Sequence, residues 1–144
     1  MRSSGPFLLD VNVLIALAWP GHEGSERVGP WFERHSHSGW ATCPFTQSGF
    51  VRVSSNPSFS PNALTPAAAL AVLEKNLKLP GHQFWPASIS LHEALKNIER
   101  RLTRHRQITD AYLLGLAIHR GGKLATLDAK LASIGPRGTV EFIE

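Results

Sequence analysis

The chain has 144 residues, 42% of them hydrophobic and 18% charged, which excludes a disordered tail or a fibre and fits one domain over residues 1–144. Its single cysteine, Cys43, excludes an internal disulfide framework and a cysteine-based zinc site, and suits a reducing cytoplasm. The net charge of +4 is local: Arg100, Arg101, Arg104 and Arg106 stand together, and without them the basic and acidic residues balance.

A chain of this size removes roughly two-thirds of its unfolded surface from water, enough for a core without staples. The longest apolar run, Phe7 to Trp19, carries Asp10 and Asn12 in its middle and falls short of the about 20 residues of a membrane span. An aspartate there also does not suit a signal peptide, so the expectation is a cytoplasmic protein without a membrane partner.

In chain order, Pro6 to Leu9 reads as a buried strand and Val11 to Ala18 as a short helix. His22 to His35 reads as an amphipathic helix with Val28, Trp31 and Phe32 inward, and Gly39 to Cys43 as a second strand stopped by Pro44. Phe45 to Ser55 reads as a helix with Phe45, Gly49 and Val53 inward. Pro57 to Pro66 is a long connection, after which Thr65 caps a helix with Pro66 at its first position, running to about Lys78. His82 to Trp85 is a candidate strand, and Ser90 opens a charged helix that runs into the arginines. Thr109 is placed to cap a helix ended by Gly121-Gly122, Lys123 to Leu127 is a strand, and Thr139 to Ile143 is a closing strand after the turn at Gly135 to Gly138. Strands alternating with helices predict an α/β fold with a central, mostly parallel sheet flanked by helices.

Two aspartates share one signature: Asp10 follows the strand-like PFLL and Asp128 follows KLATL. In an open parallel sheet the carboxyl ends of the strands form the crevice where ligands bind. Asp110, at the start of the Thr109 helix, joins them if that helix points its N-terminus there. Three carboxylates in one crevice repel one another and favour a cation. With oxygen ligands only, the natural ion is Mg²⁺, with Mn²⁺ as a plausible substitute. Such an ion acidifies a water and clamps phosphate oxygens, so the set suits metal-dependent phosphodiester hydrolysis. Each aspartate alone reads first as a helix cap or a strand-end turn, and it is the joint pattern that points to a site. The arginine cluster is the usual footprint of a polyanion, or else a solvated loop.

Leu8 to Leu17 (LLDVNVLIAL), Thr46 to Val53 (TQSGFVRV), His105 to Ala117 (HRQITDAYLLGLA) and Leu124 to Asp128 (LATLD) resemble the PIN-domain family. They look most like its VapC-type ribonuclease toxins of bacterial toxin–antitoxin pairs, in the right order over essentially the whole chain. The resemblance implies a PIN-like three-layer fold and an acidic, Mg²⁺-binding pocket in an endoribonuclease. Its metal-binding, catalytic aspartates match Asp10, Asp110 and Asp128. Asn12 and Thr126 match polar positions near the pocket, and Gln47 stands where the family often has glutamate. A glutamine keeps an amide oxygen but removes a charge, which bears on a second metal more than on hydrolysis. The resemblance also implies an RNA substrate, an antitoxin partner and a homodimer, with Arg100, Arg101, Arg104 and Arg106 on RNA phosphates. Gln47 is the one feature that favours a PIN-like binding module with weak or lost catalysis.

Other chemistries find less support. His35-Ser36-His37 has no carboxylate or cysteine partner at metal-site spacing, and no nucleophile elbow or phosphate-binding P-loop is present. An aspartyl-phosphate role for Asp10 lacks the usual second acid two residues on, where Asn12 stands. Cys43 reads as a buried small hydrophobe, Trp31, Trp40 and Trp85 as core, and Trp19 as core edge.

Overall fold

A computed structural model describes residues 5–144. In chain order it contains β1 (Phe7–Leu9), α1 (Val11–Ala18), α2 (Ser25–His35), β2 (Trp40–Thr42), α3 (Pro44–Ser54), α4 (Pro66–Asn76), β3 (His82–Phe84), α5 (Leu91–Leu95), α6 (Ile108–His119), β4 (Lys123–Thr126), α7 (Ala129–Ala132) and β5 (Val140–Phe142). The strands form one sheet in the order β3-β2-β1-β4-β5, and every neighbouring pair is parallel. Both faces of such a sheet must be covered, which is why β1 and β2 are buried at every residue.

Alternation along the strands divides the core in two. Phe7, Leu9, Trp40 and Ala125 face helices α1 to α4 and meet Val13, Ile15, Val28, Trp31, Phe50 and Leu73. Leu8, Ala41 and Leu124 face the other way, against α5 and α6, with Ala94, Leu113 and Leu116. The result is helices, sheet, helices. The second helical layer is thin and tight: Ala111 to Ala117 of α6 are all buried, and a Cβ at Gly115 would run into the carbonyl oxygen of Ala94. Glycine here lets α5 press onto α6 and so fixes the height of α6 above the sheet.

Several sequence expectations are corrected. The helix expected from His22 begins at Ser25, because Trp19 to Ser25 forms a chain of turns: the His22 N–H donates to Trp19 O and the Ser25 N–H to His22 O. Ser90 does cap a helix, accepting from Glu93 N, but α5 stops at Leu95. Ile98 is drawn into the core, and the arginine segment follows as two short 3₁₀ turns, Glu99–Arg101 and His105–Gln107. Thr109 lies inside α6, whose cap position is Gln107; the Gln107 carbonyl Oε1 instead reaches back to the N–H groups of Thr103 and Arg104. Phe45 is 47% exposed, since the turn that bonds Cys43 N to Thr46 Oγ1 points Thr46 inward in its place. Thr65 caps α4 through Ala68 N as expected. Cys43, Trp31, Trp40 and Trp85 are buried, and Trp19 is half-buried with its indole N–H on Ser54 Oγ. No helix among the described residues is long and apolar enough to cross a membrane.

Candidate active site

The strand order reverses at β1: the chain builds outward through β2 and β3, then returns to place β4 on the other side of β1. A parallel sheet opens a crevice at such a reversal, beyond the carboxyl ends of the two diverging strands. Asp10 leaves the end of β1 there, and Thr126 and Asp128 leave the end of β4. The backbone locks the junction, with Asp10 N donating to Ala125 O at 3.1 Å.

Asp10 has two structural partners. Its Oδ1 caps α1 by accepting from Val13 N at 3.0 Å, and its Oδ2 accepts from the Thr126 hydroxyl at 2.5 Å. The side chain is 6% exposed, and that burial drives its carboxyl up to about 6. The two hydrogen bonds oppose this rise, while the charges of Asp110 and Asp128 add to it. Asp110 lies in the first turn of α6 and is also shifted upward, first by burial and then by Asp128. The charges of Asp110 and Asp128 thus reach Asp10, and that of Asp128 reaches Asp110, across the crevice. Asp128 caps α7, its Oδ1 accepting from Lys130 N at 2.9 Å, and its own N–H donates to Thr126 Oγ1 at 3.0 Å.

Asp110 and Asp128 line a cleft of about 520 Å³ whose other walls include Arg104, Arg106, Gln107 and Lys130. The arginine cluster thus divides. Arg104 and Arg106 flank the carboxylates, Arg101 is committed to Ile134 O at 3.1 Å, and Arg100 is exposed on its 3₁₀ turn outside that lining. Lys130 and Gln107 are additions that the sequence reading did not make. Lys130, two residues past Asp128, was the one with a visible signal.

Gln47 stands in the first turn of α3 with its amide nitrogen on Thr42 Oγ1 at 3.0 Å, and the same hydroxyl lies 2.8 Å from His82 Nε2. Asn12 is exposed on a second, smaller cleft on another side of Asp128, together with His22, Glu23 and Arg27. That cleft, too, was invisible in the sequence.

The donor set fits a hard divalent cation in kind: three carboxylates, all oxygen, mutually repelling, the most buried of them held above its ordinary range with no cationic partner among its perturbing groups. Among the described residues, no three acidic, histidine or cysteine side chains already form a closed ligand group.

A parallel sheet with acidic residues at its reversal point, flanked by arginines, is a frame suited to a nuclease. The PIN domain pattern matches residues 7–135, and the chain belongs to the PIN domain family, among the VapC-type ribonuclease toxins. It is 44% identical over 136 residues to Ribonuclease VapC39 of Mycobacterium tuberculosis, covering 94% of this chain and 98% of that protein. Its fold is similar to the solved VapBC2 from Rickettsia felis bound to a DNA fragment from their promoter, with TM-score 0.68, 14% identity, and coverage of 96% of this chain and 98% of that one. FitAcB from Neisseria gonorrhoeae is similar as well, with TM-score 0.63, 18% identity, and coverage of 96% of each chain.

Proposed function

We propose that the chain is a single-domain, Mg²⁺-dependent endoribonuclease of the cytoplasm, the toxin of a toxin–antitoxin pair. The observation that carries this reading is the placement of Asp10, Asp110 and Asp128 at the sheet's reversal point, where the charges of Asp110 and Asp128 both act on the buried Asp10. These three would hold the ion, Mg²⁺ or in its place Mn²⁺. When bound, the ion supplies charge neutralisation, polarisation of phosphate oxygens and acidification of water.

The chain's own residues do the rest. Val13 N and the Thr126 hydroxyl fix the two oxygens of Asp10, so the carboxylate does not rotate. Arg104 and Arg106 draw the RNA backbone to the acidic cleft and offset the repulsion between its phosphates and the carboxylates. Arg100 is left to the periphery of that surface, and Arg101 braces the cleft wall through Ile134. Asn12 supports from the neighbouring cleft that Asp128 also walls, and Gln47, bonded to Thr42, is a supporting residue at the end of β2.

An antitoxin protein is the expected partner, supported by the likeness to VapC-type toxins and by a fold neighbour solved as VapBC2. A homodimer is the expected assembly. It has an apolar surface to bury: Phe45, Leu91 and Ile108 stand exposed around a groove of about 380 Å³ beside Tyr112.

The test is cleavage of RNA with Mg²⁺ or Mn²⁺, in EDTA, and by Asp10→Asn. Asparagine keeps the cap and the shape of the aspartate but removes the charge. Cleavage with metal, none in EDTA and none by the variant is the expected result. Full cleavage in EDTA would sink the carboxylate–metal mechanism. RNA binding without cleavage by the wild type would favour the non-catalytic module that Gln47 suggests.

A further inference from the structure

Asp128 is a wall shared by two clefts of different character. The larger carries Arg104, Arg106 and Lys130 beside the acids, a lining suited to backbone phosphates. The smaller, about 280 Å³, is lined by Asn12, His22, Glu23, Arg27, Leu127 and Asp128. It is less suited to a phosphate, because a single guanidinium, Arg27, faces the carboxylates of Glu23 and Asp128, where the larger cleft sets Arg104, Arg106 and Lys130 beside its acids. Its mixture of an acceptor-only carboxylate, a donor-only guanidinium and an amide suits a group that carries donors and acceptors of its own.

We propose that this second cleft is a base-reading subsite, and that it takes a guanine neighbouring the phosphate held at the acidic cleft. The inference rests on the ribonuclease reading above and deepens it to sequence preference. Guanine offers N1–H and the 2-amino group side by side, which a carboxylate accepts as a pair, and O6 with N7, which a guanidinium donates to as a pair. Glu23 and Arg27 supply one of each, and Leu127 supplies an apolar surface for the face of the ring. Adenine sets a donor beside an acceptor on each of those edges, so it mismatches both groups. The volume suits one flat base, being just below the range of drug-sized sites.

The walls are built before any ligand arrives. Ser25 Oγ donates to Ala16 O at 2.9 Å and, in an alternative bond, to Trp19 O at 2.8 Å, which ties the turn to α1. His22 Nδ1 accepts from Gly24 N at 2.9 Å, which holds the imidazole against the turn. That ring lies nearly parallel to Phe59, at 25°. Gly24 packs closely into this wall, where a Cβ would stand 2.8 Å from Leu127 Cδ1 and 3.3 Å from the Ala16 Cβ. Preformed walls of this kind lower the ordering cost of binding.

The experiment measures binding without cleavage. Short 2′-O-methyl RNA oligonucleotides, all-adenine or with a single guanine at each position in turn, are titrated in EDTA against wild type, Glu23→Gln and Arg27→Ala. Both positions are exposed, and Arg27→Ala gives up a long 3.5 Å hydrogen bond from Arg27 Nη1 to Ile143 O, so the variants keep the fold. The wild type should bind the best-placed guanine oligonucleotide about 10-fold more tightly than the all-adenine one. Each variant should bring that ratio near one, and Glu23→Gln should leave all-adenine binding within about 2-fold. No guanine preference in the wild type, or an intact preference in both variants, overturns the proposal and assigns the cleft to a protein partner. Because no metal or turnover enters the measurement, a guanine preference in a chain that cuts no RNA would sink the nuclease reading and leave the subsite standing.

Discussion

The Thr126 hydroxyl joins two acids that lie on separate strands' ends: it donates to Asp10 Oδ2 at 2.5 Å and accepts the Asp128 N–H at 3.0 Å. One oxygen atom, itself fully buried, thereby ties β4 to β1 at the open end of the sheet and sets the spacing of the carboxylates. Threonine suits the role because its branched Cβ fits a strand while its hydroxyl both donates and accepts.

Thr126→Val keeps the shape and removes the hydroxyl, leaving Asp10 Oδ2 and Asp128 N without partners. The variant should lose about 1–3 kcal/mol of stability and, because an oxygen of Asp10 is no longer held, about 10–100-fold in Mg²⁺ affinity or activity on the proposed mechanism. Thr126→Ser should restore most of both. Urea unfolding and Mg²⁺ titration of the two variants decide it: equal behaviour of valine and serine would show that the hydroxyl does not matter.

Burial holds the Asp10 carboxyl at about 6 in the folded chain, above its ordinary 3.8. A raised acid binds its proton more tightly when folded, so the stability it contributes is full below 3.8 and is lost as pH rises through about 6. The loss amounts to about 3 kcal/mol in the metal-free protein. Asp10→Asn removes it. The stability of the variant relative to wild type should therefore rise between pH 4 and pH 7.5, as read by urea unfolding in EDTA, and a constant difference would show an unperturbed carboxyl.

The arginines separate by their contacts. Arg104→Ala with Arg106→Ala should weaken RNA binding across unrelated sequences by about 1–3 kcal/mol and flatten the salt dependence by roughly 0.7 in log–log slope per lost contact. Arg101→Ala should instead cost about 1 kcal/mol of stability, since its guanidinium holds Ile134 O. RNA affinity over a salt series, with thermal melts alongside, distinguishes the two. An unchanged slope in the double variant would move the basic rim to another partner.

The exposed apolar rim predicts assembly. Leu91 is 51% exposed and faces the same groove as Phe45 and Ile108. Wild type should sediment as a dimer and Leu91→Lys as a monomer, with little change in the thermal melt of the folded unit, because a half-exposed side chain contributes little to the core. A variant that sediments as the wild type would place the dimer contact elsewhere.

The parts legible in the sequence were those whose causes are local. PFLL and KLATL are short apolar runs that end in an acid, and both are strands; Thr65-Pro66 is a cap with its helix start. Asp10, Asp110 and Asp128 could be brought together because strand ends of a parallel sheet share one side. What stayed hidden depends on contacts across the fold. Nothing near Arg101 shows that its guanidinium is taken by Ile134, 33 residues on. Nothing near Phe45 shows that Thr46 takes the inward place. His22, Glu23 and Arg27 read as an ordinary polar helix start until β4 brings Leu127 and Asp128 against them.

The pairing of β4 with β1 also sets a time at which the site can exist. Asp10 leaves the ribosome early, but its hydrogen-bond partner Thr126 lies 116 residues later, and Asp128 follows it. A growing or truncated chain that lacks β4 has an N-terminal aspartate, three strands of the sheet and no crevice, because the reversal point has only one side. On the proposed mechanism such a chain has no assembled site while its own message is still being read, since the site is complete only after residue 128 has emerged and docked.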